Sequence, residues 1–148
     1  MPVSPLYERD FYAWANEQAA LLRNGKTGEA DIEHIAEEIE SMGRTEKREL
    51  ISRLTVLLLH LLKWQYQPVL RSPSWRATIR LQRHDLTSHL SDNPSLKALL
   101  PEAISRAYER ALIEAEAETG LPKTTFPAAC PWSFDKMMTQ DFWPDGEG

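Results

Sequence analysis

The spacing of apolar residues along this chain is helical almost throughout, because apolar positions recur every three or four residues. The third predicted helix is apolar almost all round between Leu54 and Leu62, as is typical of a helix buried at the centre of a small bundle. The pattern therefore predicts an all-α fold, a compact bundle of four to five main helices. They lie at about residues 10–23, 28–41, 45–66, 72–91 and 101–120.

The ends of these helices carry recognisable signals. Asp10 and Ser72 favour the N-cap position, and Pro73 follows at the first helical position, where proline is common. Glycine readily adopts the left-handed conformation that follows many helices. Glycines are therefore expected to end three of the helices, at Gly25, Gly43 and Gly120.

The chain changes character at Leu121, where a segment rich in proline and aromatic residues begins. One short helix is predicted there, at about residues 133–138. Disordered segments are poor in aromatic residues, and large apolar side chains are costly to leave in water. We therefore expect an aromatic C-terminal tail packed across the bundle through Trp132, Phe134, Met137, Phe142 and Trp143.

Length and composition fit a single helical domain spanning residues 1–148. The one cysteine, Cys130, excludes an internal disulfide. The N-terminus lacks the basic and apolar regions of a signal peptide, and the longest apolar run is shorter than the roughly 20 residues of a membrane helix. We expect a soluble, cytoplasmic protein without a membrane partner; the sequence does not indicate the oligomeric state.

Charge is distributed unevenly, although the formal net charge is only −5. Residues 50–84 contain no Asp or Glu, and their six basic side chains stand between acidic flanks. These cations either pair with acidic neighbours in the same domain or line a site for an anion. Most charge runs are solvated or locally paired, which favours the first interpretation.

A narrow polar line runs down the third helix through Arg53, His60 and Gln67, which are spaced seven residues apart. A buried imidazole needs hydrogen-bond partners, and the acidic second helix is predicted to supply them. The structural interpretation is a hydrogen-bonded layer that fixes helix register. In the functional one, Glu37, Glu38 and Glu40 face His60 and Arg76 across a site.

Metal binding has weak support from the sequence. His34 and Glu38 are four residues apart on one predicted helix, Asp85 and His89 on another, and His60 adds a ligand from a third. His89 is expected to be exposed near its helix end. The Glu-x-x-His pattern of di-iron bundles is missing, and we predict no metal and no cofactor, with His34, Glu38 and His60 as the weak candidates.

Nucleic-acid binding also has a basis in the sequence. Arg76, Arg80 and Arg83 follow the spacing i, i+4, i+7, which makes one face of the fourth helix basic. These three arginines are candidates for binding nucleic acid or another anion. Nucleic-acid-binding domains are usually basic over a whole face, whereas this chain has a pI of about 5.4, so nucleic acid is the less favoured partner.

Several segments together resemble a bacterial family known as domain of unknown function 29. They are "LYERDFYAWANEQAALL", "HIAEEIESMGRTEKRELISRL", "HLLKWQYQP", "RSPSWRATI" and "CPWSFDKMMTQDFWP", and the similar region covers about residues 6–144. The resemblance implies a compact helical fold and a bacterial origin, and no activity. It draws attention to Glu37, Glu38, Glu40, His60, Lys63, Trp64, Gln67, Trp75 and Arg76.

The function these observations favour is that of a non-enzymatic interaction or regulatory protein, with another protein as its partner. The alternative is an enzyme acting on a phosphate-bearing or nucleic-acid substrate at a Glu/His/Arg site between the central helices. In that alternative His60 is the acid/base and Arg76 holds the anion. The candidate catalytic residues are Glu37, Glu38, Glu40, His60, Lys63 and Arg76.

Overall fold

A computed structural model describes residues 4–145. Its helices are α1 (Leu6–Arg9), α2 (Phe11–Arg23), α3 (Ile32–Tyr66), α4 (Pro73–Asp92), α5 (Leu100–Thr119) and α6 (Phe134–Met138). Short 3₁₀ turns connect several of them, and the described residues contain no strand. The predicted all-α fold is thus confirmed, with four long helices. Within 4–145 no helix combines the length and the apolar composition needed to cross a bilayer.

Most of the predicted helix ends are confirmed by side-chain and backbone geometry. The Asp10 carboxylate accepts a hydrogen bond from the backbone N–H of Ala13, 3.0 Å away, and Ser72 caps α4 in the same way through Trp75. Gly25 and Gly120 have φ of 71° and 73°, the left-handed conformation that follows a helix C-terminus. These signals are local, which is why the sequence reveals them.

The predicted break at Gly43 is wrong, because α3 runs without interruption for 35 residues. Gly43 is not among the residues with positive φ and lies in the helix interior. A glycine in a helix interior costs only about 1 kcal/mol relative to alanine. The good helix formers on both sides outweigh that cost, so the second and third predicted helices are one.

The described residues group into two compact units, one ending at Thr45 and one beginning at Glu46. The first unit contains α1, α2 and the beginning of α3. The second contains the rest of α3, the helices α4 to α6 and the C-terminal segment. That the chain forms a single domain stays a prediction.

The second unit is built around the apolar stretch of α3, as the sequence predicted. Leu54, Leu58 and Trp64 are fully buried there, together with Ile79 and Leu86 of α4. From α5 come small residues that allow close helix contact, including Ala103, Ala107, Ala111 and Ala115. This core holds the second unit together through the hydrophobic effect.

The aromatic tail packs across the second unit, which confirms another prediction. The ring of Trp143 lies 4.7 Å from that of Trp64 in α3, and both side chains are buried. Phe126 packs edge-on against Tyr66 at 5.1 Å. The tail therefore contributes to the core of this unit instead of lying in solvent.

Arg83 of α4 holds the tail through three main-chain hydrogen bonds. Its guanidinium donates to the carbonyl oxygens of Met137 at 2.6 Å, Gln140 at 3.4 Å and Phe142 at 2.7 Å. The residue is only 3% exposed. Burial, with a smaller contribution from Arg80, lowers the pKa of Arg83 to about 10, and the group remains charged at pH 7. Arg83 thus stabilises the packing of the tail against α4.

Candidate functional site

His60 is half-buried on α3 and uses one ring nitrogen locally. Its Nδ1 donates a hydrogen bond to the carbonyl oxygen of Val56, one turn earlier, over 2.8 Å. Burial and the nearby Lys63 charge lower the pKa of His60 below its ordinary value of 6.5, although Glu118 and Glu114 act in the opposite direction. The imidazole is therefore mainly neutral at pH 7.

The predicted source of carboxylates for His60 is wrong. Glu37, Glu38 and Glu40 lie on the same helix, α3, and Glu40 precedes His60 by 20 residues. Because α3 continues through Gly43, these glutamates belong to the same helix as His60 and not to a neighbouring helix that could face it. The acids that influence His60 are instead those of α5, Glu114 and Glu118. Whether any of these groups takes part in catalysis stays a prediction.

The side chain of Lys63, a second catalytic candidate, makes contacts within the second unit. Its ammonium forms an ion pair with Glu118 of α5 at 2.9 Å and stands 4.7 Å from the ring centre of Trp75. The residue is buried, whereas the Glu118 side chain is half-exposed. This contact matches the interpretation in which basic residues pair with acids of the same unit.

The predicted basic face of α4 is largely turned toward tryptophans. The guanidinium of Arg76 lies 5.5 Å from the Trp64 ring and 5.8 Å from the Trp143 ring, and Arg83 is bound to the tail. Arg80 is the exposed member of the three and lines a cleft of about 490 Å³ with His84 and Asp141. Anion binding by these arginines stays a prediction, with Arg80 the most accessible.

Two of the weak metal candidates, His34 and Glu38, have other partners in the first unit. The Nδ1 atom of His34 lies 2.6 Å from the carboxylate of Asp31, and its ring stacks on Tyr7 with centroids 3.8 Å apart. The Tyr7 hydroxyl donates a hydrogen bond to Glu38. These side chains form a polar network beside the start of α3.

Asp31 is the centre of that network, and the sequence analysis did not find it. It is 1% exposed, yet its carboxylate accepts hydrogen bonds from the Trp14 indole at 3.1 Å, from the backbone N–H of Ser4 and from His34. Burial acts to raise its pKa, but these hydrogen bonds outweigh burial and lower it. A lone Asp after Gly28-Glu29-Ala30 has no periodic signal that marks it as buried.

The Asp31–His34 pair predicts a pH dependence for the first unit. The hydrogen bond to Asp31 raises the pKa of His34 despite partial burial, so its stabilising contribution is complete below pH 6.5 and disappears as pH rises through the raised value. The contribution of Asp31 is present above pH 3.8 and disappears as pH falls through its lowered pKa. The first unit is thus expected to be most stable between these limits.

Urea titrations at several pH values, followed through the Trp14 indole N–H by NMR, measure this dependence. The free energy of unfolding should fall as the pH rises from about 6.5 through the raised pKa of His34, and His34→Gln should remove most of that fall. His84→Gln, at an exposed histidine, is the control and should retain it. An unchanged fall in His34→Gln would show that His34 is not its source.

His89 differs from its prediction, since it is buried and not exposed at the end of α4. Its ring meets two carboxylates of α3, those of Glu46 and Glu49. The sequence pattern could not reveal this cluster of three side chains. Helical spacing relates residues of one helix, whereas His89 is about forty positions away from the two glutamates.

Two clefts have Glu109 of α5 as a common lining residue. One, of about 770 Å³, has mainly apolar walls, formed by Leu112, Ile113, Phe126, Pro127 and Ala128, and is also lined by Glu109, Lys123 and Thr124. The other, of about 630 Å³, is lined by Arg48, Ile51, Arg106, Glu109 and Arg110. Glu109 belongs to both, so an apolar cleft and an arginine-rich cleft lie side by side.

Taken together, these features define a helical protein whose C-terminal segment is held by a buried arginine and whose α5 carries paired surface clefts. The model of the family described as Domain of unknown function DUF29 matches residues 6–143. The chain belongs to this family, and the resemblance found in its sequence is confirmed. No curated protein and no solved structure matches it.

Proposed function

We propose that this protein is a non-enzymatic interaction protein that binds an acidic amphipathic helix of another protein along α5. The observation that carries the proposal is the adjacency of the apolar cleft and the arginine-rich cleft, which share Glu109. An amphipathic helix presents one apolar face and charged flanks, and both parts have a complement on this surface.

The apolar cleft supplies the hydrophobic part of the interaction. Ile113 is 65% exposed, while Leu112 and Phe126, which line the same cleft, are buried. One exposed apolar residue is ordinary, but Ile113 is continuous with the apolar lining of the cleft, and a contiguous apolar patch is typical of a binding surface. Covering Ile113 would contribute about 1.5–3 kcal/mol to binding.

The arginines supply charge complementarity. Among the described residues that line this cleft, three are arginines, Arg48, Arg106 and Arg110, and one is an acid, Glu109. Arg106 already pairs with Glu102 at 3.2 Å, an exposed contact that an incoming carboxylate can share. Acidic residues on a partner would be attracted to this cleft, and basic ones repelled.

The test uses a synthetic helical peptide with apolar residues at i, i+3, i+4 and i+7 and glutamates on its flanks. Its binding is measured by fluorescence anisotropy at low and at high salt. Ile113→Asp should weaken binding about tenfold or more, since a loss of 1.4 kcal/mol is a tenfold change. Leu81→Asp, at a residue of α4 that is 56% exposed, is the matched control and should bind as the wild type does.

The same peptide with lysines in place of its glutamates should bind more weakly than the acidic form, and high salt should reduce the difference. If Ile113→Asp and Leu81→Asp bind the acidic peptide equally, or if the lysine peptide binds as well, the proposal is overturned. The enzymatic alternative, the cytoplasmic location and the bacterial origin stay predictions.

A further inference from the structure

Three side chains of the second unit converge where α3 and α4 meet: Glu46, Glu49 and His89. Their ligand-type atoms all lie within 4.8 Å of one another. We propose that this cluster is a site for a divalent transition-metal ion of the zinc type, with His89 Nδ1 and the two carboxylates as the protein ligands. The site is separate from the clefts on α5.

The orientation of the His89 ring suits a metal ligand. Its Nε2 lies 2.9 Å from the main-chain carbonyl oxygen of Glu46, which can only accept, so Nε2 carries a proton. Nδ1 faces the carboxylates, and at 2.7 Å from Glu49 it pairs with them through its own proton, so a bound ion would take the place of that proton on Nδ1. Metal-binding histidines are usually oriented by such a bond from their other nitrogen to a carbonyl or carboxylate.

Burial holds the His89 ring in this orientation. The residue is 6% exposed, so its ring cannot turn toward water without disturbing the helices around it. Among residues 4–145, the partners that Nδ1 meets are the carboxylates of Glu49 at 2.7 Å and Glu46 at 3.6 Å. The buried Nδ1 atom of His89 on α4 therefore faces two carboxylates of α3.

The two distances from His89 Nδ1 to the carboxylates are close to those of a zinc site, and all three ligand atoms lie within 4.8 Å of one another, so the glutamates would have to move closer together around an ion. Ligands about 2.1 Å from a tetrahedral ion stand about 3.4 Å apart. The 3.6 Å separation from Glu46 already fits, and the Glu49 carboxylate would withdraw by less than the length of a bond. Both glutamate side chains are nearly half-exposed, which allows that movement and leaves room for water to complete the coordination.

The donor set selects the kind of ion. One imidazole nitrogen with two carboxylate oxygens suits Zn²⁺ and neighbouring transition metals, whereas Ca²⁺ and Mg²⁺ prefer oxygen ligands alone. The positions 46 and 49 are one helical turn apart, so both carboxylates project from the same side of α3.

Arg53 is a cation beside this cluster, and it gives the proposal a second test. Its Nε lies 3.6 Å from Glu49, while its Nη1 donates to Asp85 at 3.1 Å. A positive charge next to a ligand carboxylate opposes the binding of a cation. Removing that charge should therefore tighten metal binding, which a purely structural role of the cluster does not predict.

The experiment is a calorimetric titration of the full chain with ZnCl₂ after treatment with a chelator and removal of any affinity tag. We expect saturable binding of one ion per chain. The double variant Glu46→Gln/Glu49→Gln, at half-exposed positions, should weaken it about tenfold or more. Its matched controls are Glu40→Gln and His84→Gln, exposed residues that should leave it unchanged.

Two further measurements complete the test. Arg53→Gln should bind Zn²⁺ more tightly than the wild type, and Co²⁺ should give a visible absorption band that His89→Gln lacks. The proposal is overturned if the wild type shows no saturable binding, if His84→Gln reduces binding as much as the double variant, or if Arg53→Gln weakens it.

Discussion

Replacement of Arg83 by methionine is expected to reduce the free energy of unfolding of the second unit by about 3 kcal/mol or more. The variant retains most of the apolar stem but leaves the carbonyl oxygens of Met137, Gln140 and Phe142 without their donor. The acceptor at Met137 is buried, where a lost hydrogen bond costs about 1–3 kcal/mol, whereas the bonds to Gln140 and Phe142 are only partly buried and each contributes less. Urea denaturation monitored by far-UV circular dichroism measures the loss.

Arg83→Lys separates charge from geometry. A lysine ammonium carries the same charge but cannot reach three carbonyl groups in the planar arrangement of a guanidinium, so most of the loss should remain. Arg80→Met, one turn earlier on α4 at an exposed position, is the control and should cost at most about 1 kcal/mol. Equal losses in Arg80→Met and Arg83→Met would contradict a special role for Arg83.

Trp64→Ala is expected to be equally damaging, with a loss of about 3–5 kcal/mol, because the side chain is fully buried. The truncation leaves a cavity between α3 and the tail and removes the contact with Trp143. The guanidinium of Arg71, 5.1 Å from the Trp64 ring, loses its aromatic partner as well. Thermal and urea unfolding of the full chain both report this loss.

Trp75→Ala is the matched variant for Trp64→Ala, since Trp75 is a tryptophan of the same unit that is only partly buried. It should be distinctly less destabilising, because less apolar area returns to water. Were Trp75→Ala the more damaging of the two, the tail contact at Trp64 would not be central to the core.

The fold could be predicted from the sequence to the extent that its signals are local. The caps at Asp10 and Ser72 and the left-handed Gly120 act within one helical turn, and each lies where the pattern placed it. Gly43 shows the limit of such signals, because a glycine ends a helix only if the following residues favour leaving it. The residues after Gly43 are helix formers, and α3 continues.

The candidate sites were less predictable, because they depend on contacts between distant parts of the chain. The interior position of Arg83 requires carbonyl groups more than fifty residues later, and a basic residue at helical spacing usually indicates a solvated face. The cluster around His89 and the clefts on α5 likewise join segments whose proximity no periodicity within one helix reports. Asp31 was missed because a buried carboxylate is uncommon, and its donors come from separate segments.

The continuity of α3 determines how the protein can be divided into fragments for separate study. The division between the two units falls after Thr45, inside this helix and not in a loop. Cleaving the chain there would create two new helix ends, each with four main-chain groups that have lost their intrahelical partners. Fragments for study in isolation therefore have to overlap across this junction, so that each retains a complete helical terminus.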